Sequence, residues 1–528
     1  MATPSERRPF VDPVLALILI AAALLLFWNL GGRDLWQDEA ETAMLGRNIL
    51  RFKLPVVFDG LNLVSSETSK AFGADLLWRW SPWLQFYAAA GSMALFGQNG
   101  LAARLPFALL GLLCLPLTFA FARRALDSVR IARWSAGLLA LSVPFLLHCR
   151  QARWYAMSYL LVAGLFTALF SLERRPKSAA AALALCAALL FYTNYFVAIG
   201  LLASLCAALP VLRPGRPFLK RLALALAAAA LCAWPGMVFF HILGKAEPLT
   251  VARVLQQLTR YLGLSFTQLL PLPVLAFLLW LLLRQGPQEA VPQPRRRRSL
   301  YLLACAGLYI CYLALGPWAL FRYLTPLLPI TAVLSALAVD WLSGQKRLWG
   351  IAAALLLIGT DALHLFPLGL FGFTGTKTRD RFGTFGPFSL PLAGTVYEIT
   401  HTWRDCSHDL AGYLKANARP TDVVLTTYGD TPLQFYTGLK IIGGFQGQKI
   451  SERPDWIVVR SLILDRRPGR DLDVMRFIMN RIDLRRYERA PLRCLDFMLA
   501  GCTEPSMHLF REPAQGRELT LLRRTEKK

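Results

Sequence analysis

The stretch Arg33-Asp34-Leu35-Trp36-Gln37-Asp38-Glu39-Ala40-Glu41 places four carboxylates within eight positions, directly after an apolar run over residues 14–30. Leu45, Ile49 and Phe52 follow at i, i+4, i+7 spacing, so Asp38 and Glu39 open an amphipathic helix at a membrane surface. A structural account suffices for both acids, because the helix dipole favours carboxylates there by roughly 0.3–1 kcal/mol each. The chemical account makes Asp38 a general base. A hydroxyl that attacks an electrophile needs a carboxylate within about 2.6–3.2 Å to take its proton.

Three further segments fall on the same side of the membrane as Asp38. The third apolar helix ends in His148-Cys149-Arg150-Gln151-Ala152-Arg153-Trp154-Tyr155, the fifth in Tyr192-Thr193-Asn194-Tyr195, and the ninth in Trp318-Ala319-Leu320-Phe321-Arg322-Tyr323. Basic residues collect on the cytoplasmic side, so Arg150, Arg153 and Arg322 run against the bias. Arginine binds phosphate in bidentate fashion, and a lipid phosphate is the natural anion at that depth. The alternative is that they snorkel to ordinary headgroups. Tyr155, Asn194, Tyr195 and Tyr323 are candidate lining of a sugar or acceptor pocket. His148 and His241 lie on the same face and could join a carboxylate at a divalent metal, although no acidic residue follows the third helix and no cofactor is certain.

Many membrane-spanning helices must hold these groups. Of 528 residues 55% are hydrophobic, with a mean hydropathy of +0.42. The excess lies in nearly uncharged runs over 14–30, 264–283, 300–315 and 348–366, most of them long enough to cross about 30 Å of hydrocarbon. The net charge of +25 does not indicate nucleic acid, because its Lys and Arg cluster between apolar runs, as Arg295–Arg298 do. Basic segments 1–13, 123–133, 173–178, 213–221, 284–298 and 343–347 alternate with segments 31–99, 149–155, 192–195, 241–261 and 316–323 at the opposite face. That gives about eleven spans. The first is a retained helix rather than a cleaved leader, and the chain's later part lies outside. Residues 82–96 are too short for a span, and Trp83, Phe86, Tyr87, Ala90 and Ala94 recur as in an interfacial helix.

The expected organisation is a membrane domain over 1–366, with 31–99 as its first outside loop, a linker over 367–400 and a small α/β domain over 401–528. Strands are expected at 422–427, 455–460 and 518–523, and amphipathic helices at 405–417 and 471–480. Most of the ten cysteines lie in apolar runs as small packing residues. Cys494 and Cys502 fall in the polar part and could form a disulfide there.

The order Trp36-x-Asp38-Glu39-Ala40, Ser81-Pro82-Trp83-Leu84 leading to Leu95-Phe96-Gly97, Arg104-Leu105-Pro106, Arg150-x-x-Arg153-x-Tyr155 and Arg322-Tyr323-Leu324-x-Pro326-Leu327-x-Pro329 resembles the GT-C membrane glycosyltransferases. The nearest group is that of protein O-mannosyltransferases and lipid A aminoarabinose transferases. The resemblance implies a catalytic aspartate at Asp38 with Glu39 beside it. It further implies inverting transfer of a hexosyl or pentosyl unit from a polyprenyl-phosphate sugar to a glycan, lipid or protein hydroxyl, at the periplasmic face of a bacterial inner membrane. The sequence departs from the pattern at Trp83, where relatives show a second proline. A transporter or flippase of a lipid-linked sugar is the alternative, but such proteins place ionisable residues at mid-depth, where these helices carry almost none.

Overall fold

A computed structural model describes residues 12–64, 71–245, 248–284, 291–365, 384–385, 388–401, 405–444, 453–460, 471–497, 501–504 and 507–525. Helix α1 (Pro13–Phe27) starts at Asp12, whose carboxylate accepts from the N–H groups of Val14 and Leu15. Two helices occupy the following loop, α2 (Gln37–Phe52) and α3 (Leu84–Phe96). They pack face to face, and a Cβ on Gly46 would meet Met93 at 2.7 Å. The helix expected at 82–96 is therefore α3, and its Phe86, Ala89, Ala90 and Met93 are buried while Tyr87 stays exposed.

The remaining helices of the apolar part are α4 (Gly100–Leu126), α5 (Val129–Ala140), α6 (Val143–Cys149), α7 (Tyr155–Leu169), α8 (Pro176–Thr193), α9 (Tyr195–Ala207), α10 (Leu209–Leu212), α11 (Arg216–Phe239), α12 (Val251–Gln268), α13 (Leu272–Leu283), α14 (Gln293–Leu313), α15 (Leu328–Gln345) and α16 (Arg347–Gly359). Helices α4, α8, α11 and the segment Thr325–Gln345 are long and apolar enough to cross a membrane. The pairs α5–α6 and α12–α13 add two candidates, bent by 62° and 88°. Helices α1, α3, α7, α9 and α16 are apolar but shorter. The eleven spans expected from charge alternation thus exceed the number that single helix lengths support. Helix α15 forms the centre, buried continuously from Leu328 to Asp340.

The basic loops gather at one end. Arg133 pairs with Asp12 at 2.9 Å and Arg130 with Asp340. Arg295 and Arg298 donate to the last carbonyls of α4, at Leu126, Arg124 and Ala125. Those carbonyls have no helical partner of their own, so the arginines cap helix ends as well as marking a face.

The C-terminal part has its own core. Strands β1 (Thr384–Phe385) and β2 (Phe388–Ser389) pair antiparallel. Strands β3 (Val423–Thr426), β4 (Lys440–Gly443), β5 (Trp456–Val459), β6 (Tyr487–Arg489) and β7 (Thr520–Arg524) form one sheet in the order β4-β3-β5-β7-β6. Its β3–β4 and β3–β5 pairs are parallel, while β7 runs antiparallel to β5 and β6. Leu410, Leu414, Val424, Leu433, Ile441 and Trp456 pack on one face, and Leu425, Ile457, Val474 and Ile478 on the other. Residues 391–400, read from the sequence as loop, are a helix, Pro391–Thr400. All ten cysteines are free thiols. Cys494 lies against Cys406 rather than Cys502, whose Sγ accepts from the N–H of Glu504 at 3.4 Å.

Candidate active site

The first turn of α2 is wedged between the helical core and the C-terminal sheet unit. Gln37 donates to Asp430 at 2.9 Å, Thr431 donates back to the carbonyl of Gln37 at 2.8 Å, and the N–H of Leu35 donates to Tyr436 at 2.9 Å. This turn is fixed from both sides, and its two acids point in different directions.

Glu39 turns into the protein. Its carboxylate takes Arg104 in a two-point pair at 2.7 and 2.6 Å, and it also accepts from the N–H of Ala152 at 2.9 Å. Arg104 spends its remaining N–H groups on the carbonyls of Leu30, Arg33 and Asp34. Every donor of that guanidinium is engaged. Glu39 therefore holds α2, α4 and the residues before α7 together and is not placed to react.

Asp38 turns the other way. Its Oδ2 accepts from Arg322 Nη1 at 2.6 Å, with Arg153 Nη2 at 3.8 Å. Burial pushes the Asp38 carboxyl up, but Arg322 and Arg153 overrule that and hold it below the usual carboxylate range. Arg153 also pairs with Glu41 at 2.8 Å and donates to the Asp38 carbonyl at 3.1 Å. The main chain sets Arg322 in a short 3₁₀ turn, Phe321–Tyr323, between α14 and α15. Glu504, from the C-terminal part, accepts there from the N–H of Phe321 at 2.9 Å and from Arg322 Nε at 3.3 Å.

Around this cluster, buried polar atoms lack partners. They are Arg153 Nε, the Tyr155 hydroxyl and His148 Nε2. The His148 ring packs edge-on to Tyr155 at 4.7 Å and against Phe321 at 5.6 Å. Tyr155 lies within electrostatic reach of Arg322, Arg153, Asp38 and Glu504. An unpaired buried donor or acceptor costs roughly 1–3 kcal/mol, so these atoms are available to a polar ligand.

The structure thus brings Asp38, Arg153, Arg322, Tyr155 and Tyr323 together; Tyr323 stacks on Trp154 at 6.3 Å and lies within electrostatic reach of Arg322, Arg153 and Asp38. It places the other expected residues elsewhere. Arg150 reaches back to α1 and donates to the carbonyls of Leu25, Leu26 and Trp28 at 2.9 Å each, and to Asn29 at 3.3 Å. Leu25 and Leu26 supply orphan acceptors of the α1 C-terminus, and these bonds engage both amino groups of the guanidinium expected to hold a phosphate. Asn194 caps α9 by accepting from the N–H of Val197 at 3.1 Å. The Tyr195 hydroxyl donates to the Trp80 carbonyl at 3.2 Å and accepts from Lys245 at 3.2 Å, joining the first loop to the turn before α12.

The donor set does not fit a divalent metal. His241 sits with Arg79 at 3.2 Å rather than with His148. Asp38, Glu41 and Glu504 are already matched to Arg153 and Arg322, and the described residues hold no group of three His, Cys, Asp or Glu side chains fit to bind an ion.

Sequence reasoning missed Glu41, Arg104 and Glu504. Glu41 is visible only as part of an acidic run, and Arg104 only within the Arg104-Leu105-Pro106 stretch, with no role attached to it. Glu504 lies in an irregular stretch and gives no periodic signal.

A cleft of mixed lining lies beyond α6, and its wall includes Gln268, Ser335, Asp361 and His364. It is also lined by Leu138, Val143, Pro144 and Leu147 from α5 and α6, Leu328 and Thr331 from α15, and Leu357 near the end of α16. Helix α6 divides the two spaces, since Pro144 and Leu147 face the cleft while His148 faces Tyr155 and Phe321.

No family model matches the chain, and no curated protein sequence does. Solved structures match over nearly its whole length. ArnT from Cupriavidus metallidurans bound to undecaprenyl phosphate aligns with a TM-score of 0.58 at 14% identity, covering 96% of this chain and 97% of that one. The oligosaccharyltransferase AglB from Archaeoglobus fulgidus, in complex with an inhibitory peptide and a dolichol-phosphate, aligns at 0.54 and 12% identity over 85% of this chain and 69% of its own. The mycobacterial arabinofuranosyltransferase AftD aligns at 0.50 and 14% identity over 98% of this chain and 42% of its own. These are GT-C glycosyltransferases, and the fold is theirs.

Proposed function

We propose that this chain of GT-C fold is an inverting glycosyltransferase, which moves a sugar from a polyprenyl-phosphate donor to a hydroxyl acceptor at the periplasmic face of a bacterial inner membrane. What carries the reading is one juxtaposition. A carboxylate, Asp38, shares a half-buried cluster with two arginines, 2.6 and 3.8 Å away, and with unpaired buried polar atoms beside them.

Arg153 and Arg322 receive the donor phosphate, and the polyprenyl chain lies in the cleft beyond α6. As phosphate oxygens share the two guanidiniums, their hold on Asp38 weakens and its basicity rises. Asp38 then takes the acceptor's proton while the acceptor oxygen bonds to the anomeric carbon from the face opposite the phosphate. The bond from that carbon to the phosphate oxygen breaks, its electron pair stays on the oxygen, and polyprenyl phosphate leaves. Attack from the opposite face inverts the anomeric configuration, as in inverting sugar chemistry generally. The arginines offset the charge that grows on the leaving oxygen, where fixed donors in a site shielded from water act strongly. Tyr155 and Tyr323 line the sugar pocket. Arg150, Asn194 and Tyr195 are left to hold the scaffold.

Transfer of radiolabelled sugar from polyprenyl-phosphate donors is compared in membranes carrying the chain and in membranes carrying Asp38→Asn. Transfer by the first and loss in the second is the expected result. Equal transfer removes Asp38 as the base.

A further inference from the structure

Arg322 is gripped by a residue far along the chain. The Glu504 side chain is 8% exposed. One oxygen accepts from the N–H of Phe321 at 2.9 Å, and the other from Arg322 Nε at 3.3 Å and the Arg322 N–H at 3.4 Å. The carboxylate therefore fixes both the main chain of the turn and the base of the guanidinium. With Nε anchored, Nη1 is aimed at Asp38, and Nη2 carries no hydrogen bond among the described residues. The segment around Glu504 is itself seated. The carbonyl of Gly501 accepts from Gln151 at 2.6 Å, and Gln151 in turn accepts from the Trp36 indole at 2.9 Å. A Cβ on Gly501 would meet Trp36 at 3.3 Å, so this part of the chain passes directly over the start of α2. The Arg322 guanidinium sits 6.0 Å from the Trp36 ring.

We infer that Glu504 is a positioning residue. It orients Arg322 so that one amino group serves Asp38 and the other is presented to the donor phosphate. The C-terminal part thereby completes the phosphate site of the helical part. This rests on the function proposed above. A long, flexible guanidinium held by carboxylates on two sides is ordered before the phosphate arrives, and binding then avoids that ordering cost. The competing account makes Glu504 a placeholder that a phosphate must displace. The two accounts predict opposite signs.

Binding of undecaprenyl phosphate is measured by native mass spectrometry on the full chain in detergent. The proteins compared are wild type, Glu504→Ala, Glu504→Gln and, as a control from an exposed ion pair, Glu518→Gln. Positioning predicts about tenfold weaker binding in Glu504→Ala, a smaller loss in Glu504→Gln, which keeps one acceptor oxygen, and none in Glu518→Gln. In an Arg322→Lys background Glu504→Ala adds little, because the group it orients is gone. Unchanged or tighter binding in Glu504→Ala overturns the inference, and tighter binding establishes the placeholder. If the alanine variant does not fold, the glutamine variant decides on the same terms. Wild-type protein that binds no undecaprenyl phosphate refutes the proposed function instead, and with it the setting in which Glu504 would act.

Discussion

Two regions of α2's first turn, one residue apart in sequence, are built on opposite principles. Around Glu39 every donor of Arg104 is engaged, and the pair is almost wholly buried. Around Asp38 there is one short contact and one long one, and the atoms nearby lack partners. Both regions are acid–arginine clusters, so charge alone does not tell them apart. Hydrogen-bond completeness does. A saturated cluster has nothing to offer a ligand, whereas an unsaturated one keeps free donors that only a ligand can use.

The comparison breaks most directly at Asp38. Asp38→Asn should lower transfer by about 10²–10⁴-fold, the range typical of a positioned general base, while the melting temperature in detergent stays close to wild type. Full activity in this variant would erase the distinction. Glu39→Gln should do the reverse. It leaves Arg104 buried without its charge partner, at a cost of about 3–5 kcal/mol, seen as a large fall in melting temperature. The activity that remains should follow the folded fraction. Among the arginines, Arg322→Lys keeps the charge but loses the fork, and about a hundredfold drop in turnover is expected, as for the loss of one preorganised donor. Arg150→Met should lower stability and leave turnover per folded molecule unchanged; a phosphate role for Arg150 would show as a rise in donor KM.

The smallest effect concerns pH. Burial pushes the Glu398 carboxyl up, yet His508 at 2.7 Å and Arg33 at 2.6 Å overrule it and hold it down to about 2. A carboxyl depressed on folding contributes stability that is present above its unfolded value, near 4.5, and is lost as pH falls toward 2. Melting curves should show that loss in wild type between those limits, and Glu398→Gln should remove this contribution. Identical acid profiles for the two proteins would contradict it.

Much of this was legible in the sequence, for identifiable reasons. Arg153 and Arg322 stood out because they oppose the charge bias, and the structure sets both beside Asp38. Arg150 carried the same signal, but here it donates to carbonyls at the end of α1, an arrangement that sequence spacing cannot separate from phosphate binding. Strands β3, β5 and β7 lie within one or two residues of the alternating stretches 422–427, 455–460 and 518–523. Strands β4 and β6 escaped because they carry fewer apolar residues, Lys440-Ile441-Ile442-Gly443 and Tyr487-Glu488-Arg489, than β3 and β5 do. The bends within α5–α6 and α12–α13 hid in apolar runs, since hydropathy is blind to direction. Glu504 was out of reach because its partner is 182 positions away, and nothing local marks the pairing.

That separation bears on how the protein comes into being. Asp38 meets an arginine 284 positions downstream, and that arginine meets a glutamate 182 positions further on. Synthesis runs from the N-terminal side, so the acid is made early and waits through most of translation for its counterparts. On the function proposed above, a nascent chain meets donor lipid in the same membrane before it is able to consume it. Competence to react arrives late, with the arrival of residue 504, and a chain released before that point would carry an acid without its complete setting.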